Sequence, residues 1–272
     1  MRTATKIVVA AGLTGVLAHV VHALTLDRRI EYKEEFFYSP DVPEEIDGYR
    51  LAFIADTHCM PREHLELVVE ELNKRQVDLL LLGGDYSSAS DASGQTMEIL
   101  SKVKATDGIF GVEGNHDNHE ILFAAMAEHS ITPLSNSGQY LREHLYLAGV
   151  EDLWNRCPSI PDAISGAEPG DFVVLVSHNP DITMLQDTRD VNLILSGHTH
   201  GGQMNLFGVW APHLTANLWM TERAITDYNQ RFRAGWALSR DGAAVYVSNG
   251  AWQDRPRVFA RPQVSLITLK RG

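Results

Sequence analysis

Leu193-Ile194-Leu195-Ser196-Gly197-His198-Thr199-His200-Gly201-Gly202 is the stretch that decides the fold. A short apolar run, Leu193–Ser196, reads as a buried strand. It stops at a glycine, and two histidines spaced by one residue follow at once. Glycines on both sides let the backbone turn sharply there. The same pattern recurs upstream. Leu51–Ala55 runs into Asp56-Thr57-His58, Val77–Leu82 into Gly83-Gly84-Asp85, Gly108–Val112 into Gly114-Asn115-His116-Asp117, and Phe172–Ser177 into His178-Asn179-Pro180.

Between these runs lie helical patterns near His64–Arg75, Gln95–Lys104 and Glu120–Glu128, and one further strand at Leu145–Val150. Near-continuous apolar strands alternating with helices imply an α/β fold whose sheets are covered by helices. Late strands at Ala244–Ser248 and Val264–Leu269 are expected to extend a second sheet. No repeat of 20–50 residues is visible, so residues 50–272 read as one layered domain. The polar clusters then fall at the carboxyl ends of strands, where open α/β sheets place their sites.

Each cluster taken alone reads equally well as a turn or a helix cap. Together they supply two Asp, one Asn and four His: Asp56, His58, Asp85, Asn115, His178, His198 and His200, with His116 left over. Mixed imidazole and carboxylate donors suit Mn²⁺, Zn²⁺ or Fe²⁺ better than Ca²⁺. The inventory fits two divalent cations sharing one carboxylate, an arrangement that holds a phosphoryl oxygen and activates water. A phosphate-binding loop with its Lys and a Ser-His-Asp nucleophile elbow are both missing.

Asp-x-His, Gly-Asp, Gly-Asn-His-Asp, His and Gly-His-x-His, in this order, resemble the calcineurin-like metallophosphoesterase superfamily from about Arg50 onward. Ser177–Asp181, Ser196–Gln203, Tyr246–Gly250 and the Arg261-Pro262…Leu269 ending are similar to a bacterial membrane-associated branch, which includes UDP-2,3-diacylglucosamine pyrophosphatase-like phosphohydrolases. The resemblance implies an αββα sandwich. It also implies one metal held by Asp56, His58, Asp85 and His200, and a second by Asp85, Asn115, His178 and His198. His116 falls on the family's catalytic histidine, with Asp117 to orient it. Where some members carry an Asp partner for that histidine, this chain has Ser88. The implied reaction is in-line attack on phosphorus by a metal-bridging hydroxide. A phosphodiester or pyrophosphate is the leading substrate, plausibly lipid-linked or a nucleotide; a phosphomonoesterase, a cyclic-nucleotide phosphodiesterase and a non-catalytic metal-binding scaffold are the alternatives.

Outside the motifs, Ile7–Leu26 runs 20 residues without Asp, Glu, Lys or Arg. That length matches roughly 30 Å of hydrocarbon, so residues 1–30 read as a single membrane anchor. A signal segment cleaved after Val21-His22-Ala23 is the second reading and a buried amphipathic helix the third. Basic residues on both flanks leave the side of the membrane undetermined. Residues 31–49, acidic and Pro-interrupted, read as a linker with room for one edge strand.

With 44% hydrophobic and 21% charged residues, the composition is that of a folded globular protein. A net charge of −12 argues against a stable nucleic-acid partner, since phosphate backbones want Lys and Arg. The charge is uneven: residues 201–272 carry 9 Lys/Arg against 4 Asp/Glu, a net of +5. That basic end holds Trp210, Trp219, Trp236 and Trp252 with Phe207, Phe232, Arg223, Arg231 and Arg233. These form either a rim for an apolar tail and an anionic head or the packing of the second sheet. Cys59 and Cys157 exclude a disulfide scaffold. Oligomeric state is open.

Overall fold

In the computed structural model of the chain, residues 2–87, 93–211, 230–252 and 257–272 are described. Among them two six-stranded sheets lie face to face. The first sheet holds β1 (Glu31–Ser39), β2 (Arg50–Ile54), β3 (Leu79–Leu82), β4 (Ile109–Gly111), β5 (Thr132–Pro133) and β12 (Gln263–Arg271), in spatial order β1-β12-β2-β3-β4-β5. The second holds β6 (Ser137–Arg142), β7 (Leu145–Gly149), β8 (Phe172–Val176), β9 (Leu193–Ser196), β10 (Gly235–Leu238) and β11 (Ala244–Val247), in order β10-β11-β9-β8-β7-β6.

The apolar strand runs follow from burial on both faces. In β2, Leu51 and Phe53 point into the core between the sheets, whereas Ala52 and Ile54 meet the outer helices. In β8, Phe172, Val174 and Val176 share that inner core, whereas Val173 and Leu175 face the opposite outer layer. Period-2 alternation with both faces covered leaves no polar position along such a strand. Helices α2 (Arg62–Arg75), α3 (Ser93–Leu100) and α4 (His119–Glu128) cover the first sheet. In α2 the buried residues Leu65, Val68, Val69 and Leu72 form one stripe at helical spacing. Short α5 (Ile160–Ala163) and α6 (Ile182–Leu185) cover the second sheet. The αββα sandwich expected from the sequence is the fold observed.

Two expectations need correction. Val264–Leu269 does not extend the second sheet: β12 lies in the first, antiparallel to β2 and parallel to β1. Residues 31–49 are not mainly a linker, because β1 pairs with β12 over all nine of its residues and the sheet begins at Glu31 rather than at residue 50. Its acidic side chains sit on an edge strand, where the outer face reaches water.

Of the run Ile7–Leu26, all but the last residue folds within α1 (Arg2–Thr25), and Leu26 begins the short turn that follows. Among the described residues no helix is long and apolar enough to cross a membrane. His19 and His22 interrupt the apolar run and turn toward the domain. The His19 Nε2 accepts from the Phe207 N–H at 3.1 Å, and His22 Nδ1 lies 2.7 Å from buried Asp27.

Candidate metal centre

The centre is built where the parallel strands end. β2 delivers Asp56 and His58, β3 Asp85, β4 the loop Gly114–Asp117, β8 His178, and β9 His198 and His200. The chain leaves the pleat abruptly there: Asp56, His58, Asp85, His198 and His200 all take positive φ, between 42° and 69°. Residues other than glycine rarely adopt that region, and such outliers gather at functional sites. Close approach of two loops also requires Gly114, where a Cβ would collide with Asp85 Oδ1.

All seven expected donors converge. Asp85 Oδ2 lies 3.3 Å from His178 Nε2 and 3.6 Å from His58 Nε2, so one carboxylate oxygen faces both halves of the cluster. His58 Nε2 is 3.3 Å from His200 Nε2, and His200 Nε2 is 3.8 Å from Asp56 Oδ1. On the other side, His178 Nε2 is 3.2 Å from Asn115 Oδ1 and 3.3 Å from His198 Nδ1. Two groups, Asp56–His58–His200 and Asp56–Asp85–His178, each bring ligand atoms within 4.8 Å of one another. A cation about 2.1 Å from each donor spaces neighbouring donors roughly 3.0–3.4 Å apart, so these separations suit a coordination shell.

Electrostatics point the same way. Asp56 and Asp85 are fully buried carboxylates. Burial, set against the pull of His178, lifts Asp56 to about 7. Burial opposes the charge on Asp85 as well, but His178 and His58 beside it hold it well below the ordinary carboxylate range. Burial lowers His178, yet the adjoining Asp85 carboxylate outweighs this and raises it to about 10. The protein therefore favours positive charge where Asp56, Asp85 and His178 meet. Burial drives His58 down to about 4 and His198 to about 3, which keeps both imidazoles neutral with a lone pair to offer. His178 Nδ1 donates to the Gly83 carbonyl at 2.7 Å, directing Nε2 into the cluster. The donor set fits divalent cations.

His116 stands apart. Its backbone N–H donates to Asp85 Oδ1 at 2.9 Å, whereas its ring is exposed, edge-on to His58 at 5.3 Å. It borders the donors from the solvent side. Asp117 accepts backbone N–H groups from Asp85 (2.7 Å), Tyr86 (2.9 Å), Ser87 (3.3 Å) and Gly114 (2.9 Å). Its hydrogen bonds thus tie the Asp85 loop to the Asn115–His116 loop. Ser88 lies outside the described residues.

Four residues near the donors escaped the sequence reading. Buried Asp152 accepts from the N–H groups of Trp154 and Asn155, and Asn155 Nδ2 then donates to the Asn115 carbonyl. Trp154 packs edge-on to His198 at 4.6 Å. The available signal was positional, since Glu151-Asp152 follows β7 as the other clusters follow their strands. Buried Arg257 donates to the Asn249 and Ala260 carbonyls beside His200, and nothing local in the sequence marks it.

The expected aromatic rim divides. Trp252 packs on His58 and His200. Trp236 packs instead on Phe37 and Tyr246 and donates to Glu35, while Phe232 is buried in the outer core of the second sheet. Arg233 donates to Asn205 and Arg231 to the Ser239 carbonyl, and Trp210 and Phe207 are exposed. Trp219 and Arg223 lie outside the described residues. Cys59 and Cys157 form no disulfide.

Residues 49–202 match the family model for the calcineurin-like phosphoesterases. An uncharacterised metallophosphoesterase of Helicobacter pylori is 26% identical over 256 residues, covering 89% of this chain. The chain spans 64% of that relative's length. The uncharacterised metallophosphoesterase YkuE of Bacillus subtilis is 27% identical over 89% of this chain and 86% of its own length. A solved structure, TT1561 of Thermus thermophilus, shares the fold at a TM-score of 0.51 and 12% identity, covering 75% of this chain and 90% of its own. The family match takes in every strand-end cluster from Asp56 to His200 and more than half of the sequence: the chain belongs to the calcineurin-like phosphoesterases.

Proposed function

We propose that the protein hydrolyses a phosphodiester or pyrophosphate bond at a two-cation centre, on an amphiphilic substrate such as a lipid-linked nucleotide. The supporting observation is the position of Asp85 Oδ2, within 3.6 Å of His58 Nε2 and 3.3 Å of His178 Nε2. On this reading Asp56, His58, Asp85 and His200 hold one ion, and Asp85, Asn115, His178 and His198 the other. Mn²⁺ suits the mixed donors best, with Zn²⁺ or Fe²⁺ as competitors. Two such ions, when bound, offset charge on the phosphoryl oxygens and lower the pKa of water between them.

The protein's own residues do the rest. The Asp117 clamp fixes the two loops that carry Asp85 and Asn115, so the donors are preorganised. His116, at the exposed edge beside His58, is placed to donate a proton to the leaving oxygen. Attachment of the chain to a membrane through residues 7–26 belongs to the same reading. It is supported by the exposed apolar side chains of α1. A relative from Danio rerio, 28% identical over 60% of this chain, is itself named a transmembrane protein with a metallophosphoesterase domain.

The test is to strip the protein with chelator and restore Mn²⁺, Zn²⁺ or Fe²⁺ singly. Rates are then compared on bis-p-nitrophenyl phosphate, p-nitrophenyl phosphate and a UDP-sugar lipid. Diester or pyrophosphate turnover that returns with metal supports the reading. Faster monoester turnover would transfer it to a phosphomonoesterase, and no turnover on any substrate would leave a metal-binding scaffold.

A further inference from the structure

Four residues after His200 the chain enters a loop, Met204–Trp210, whose apolar side chains face outward. Phe207 is 69% and Val209 74% exposed, and Met204, Leu206 and Trp210 are exposed as well. The loop is nevertheless held firmly. Leu206 N–H donates to the Trp210 carbonyl, Asn205 N–H to the Val258 carbonyl, and Asn205 Nδ2 to the carbonyls of Gly201 and Phe259. A backbone fixed this way presents its apolar side chains by construction, and exposed patches of this kind mark interaction surfaces.

α1 is docked against the same loop. Its polar groups are used in the contact: His19 accepts from the Phe207 N–H and packs on the rings of Phe207 and Phe259, and His22 packs on Phe259. Asp27, just past the helix, accepts from the N–H groups of Phe259 and Ala260. What remains outward on α1 is mainly apolar, from Ile7 and Leu13 through Leu17 to Leu24, and the exposed Thr14 and Thr25 hydroxyls bond back to carbonyls of their own helix. A protein groove covers one narrow stripe of a helix, whereas the exposed large apolar side chains of α1 span about half of its circumference. A lipid surface covers so broad a face at once. Exposed Arg28 and Arg29 follow the helix and match anionic headgroups in charge.

We propose that the Met204–Trp210 loop inserts beside α1 into an anionic lipid surface, so that the mouth of the metal centre opens at the headgroup level of the bilayer. This rests on the membrane attachment proposed above and deepens it. The substrate phosphate then lies in the plane of the headgroups, and an amphiphile reaches His116 and the donors while its tail stays in lipid.

The experiment uses the full chain, metal-loaded, with vesicles of phosphatidylethanolamine and phosphatidylglycerol containing a lipid brominated on its acyl chains. Flotation reports attachment, and quenching of tryptophan emission reports insertion. The expected result is flotation with quenching, a quenched component that disappears in Trp210→Phe, and a Val209→Asp variant roughly tenfold slower on a vesicle-borne phosphodiester. The Val209→Asp rate on soluble bis-p-nitrophenyl phosphate stays unchanged. Flotation with the same quenching in Trp210→Phe, and equal vesicle rates in Val209→Asp, would overturn the loop proposal while leaving attachment by α1 intact. Failure to float would overturn both, and a dimer in light scattering would then assign the surface to a second copy of this chain. Loss of activity on both substrates after chelation bears on the metal centre alone.

Discussion

The two ends of the same strands carry opposite kinds of polar chemistry. At the amino ends the polar groups satisfy one another. Asp78 accepts from the Arg50 N–H, Asp107 accepts from the Tyr49 hydroxyl at 2.6 Å and from Arg142 Nε at 2.8 Å, Asp171 accepts from Tyr140, and Asn192 accepts from the Val173 N–H. Arg142 also stacks over the Tyr49 ring. Each of these three carboxylates has found a donor. At the carboxyl ends groups able to ligate a metal crowd together: ring nitrogens sit 3.3 Å apart, and buried Asp85 lies against two imidazoles. Saturated polar clusters hold a fold together, whereas convergent acceptors store a demand for cations. The difference identifies the working end of the sandwich without appeal to any bound ligand.

The sharpest way to break this contrast is to remove the shared carboxylate. Asp85→Ala is expected to lose more activity than the about 10²–10³-fold that one missing electrostatic donor costs. Metal analysis should show reduced occupancy, and full activity in this variant would erase the distinction between the ends. His116→Ala is expected to lower kcat by about 10²–10⁴-fold with the metal content unchanged, because the ring borders the donors without joining them. Metal loss in this variant would move His116 into the ligand set.

Gly114→Ala sharpens the comparison from the backbone side. Its Cβ would strike Asp85 Oδ1, so metal affinity should fall about 10–100-fold while the fold remains, readable by titration and circular dichroism. At the opposite end Asp107→Ala should cost about 1–3 kcal/mol of stability in denaturant melts and leave turnover unchanged, since only a saturated network is cut.

The smallest expected effect is at His144. Its hydrogen bond to Asp171 raises its pKa above the unfolded value. Its contribution is therefore fully present below the ordinary imidazole value and is lost as pH rises through the raised one. Melting temperatures of wild type and His144→Gln should differ slightly at about pH 5.5 and converge at about pH 8.5.

Much of this was legible in the chain itself, and particular residues show why. β2, β3, β8 and β9 announce themselves because both of their faces are buried, so the apolar run is unbroken and the first polar residue after it marks the exit. The seven donors were readable because the backbone there must turn within one or two residues, which keeps each cluster contiguous in sequence. The placement of β12 was not readable: its pairing with β2 spans more than 200 residues, and nothing in Val264–Leu269 distinguishes one sheet from the other. Asp152 and Arg257 were hidden because each acts through backbone groups, Asp152 on the N–H groups of its own loop and Arg257 on the carbonyls of Asn249 and Ala260. Asp117 was expected to orient His116, and the amides its carboxylate accepts from are brought together only by the fold.

The central claim is that the carboxyl ends form a two-cation centre on which turnover depends. The most direct measurement is a Mn²⁺ titration of chelator-stripped full-length protein, following bound metal and bis-p-nitrophenyl phosphate hydrolysis together. Binding should saturate at two ions per chain, with activity returning only as the second one fills; full activity at one ion or none would contradict the account.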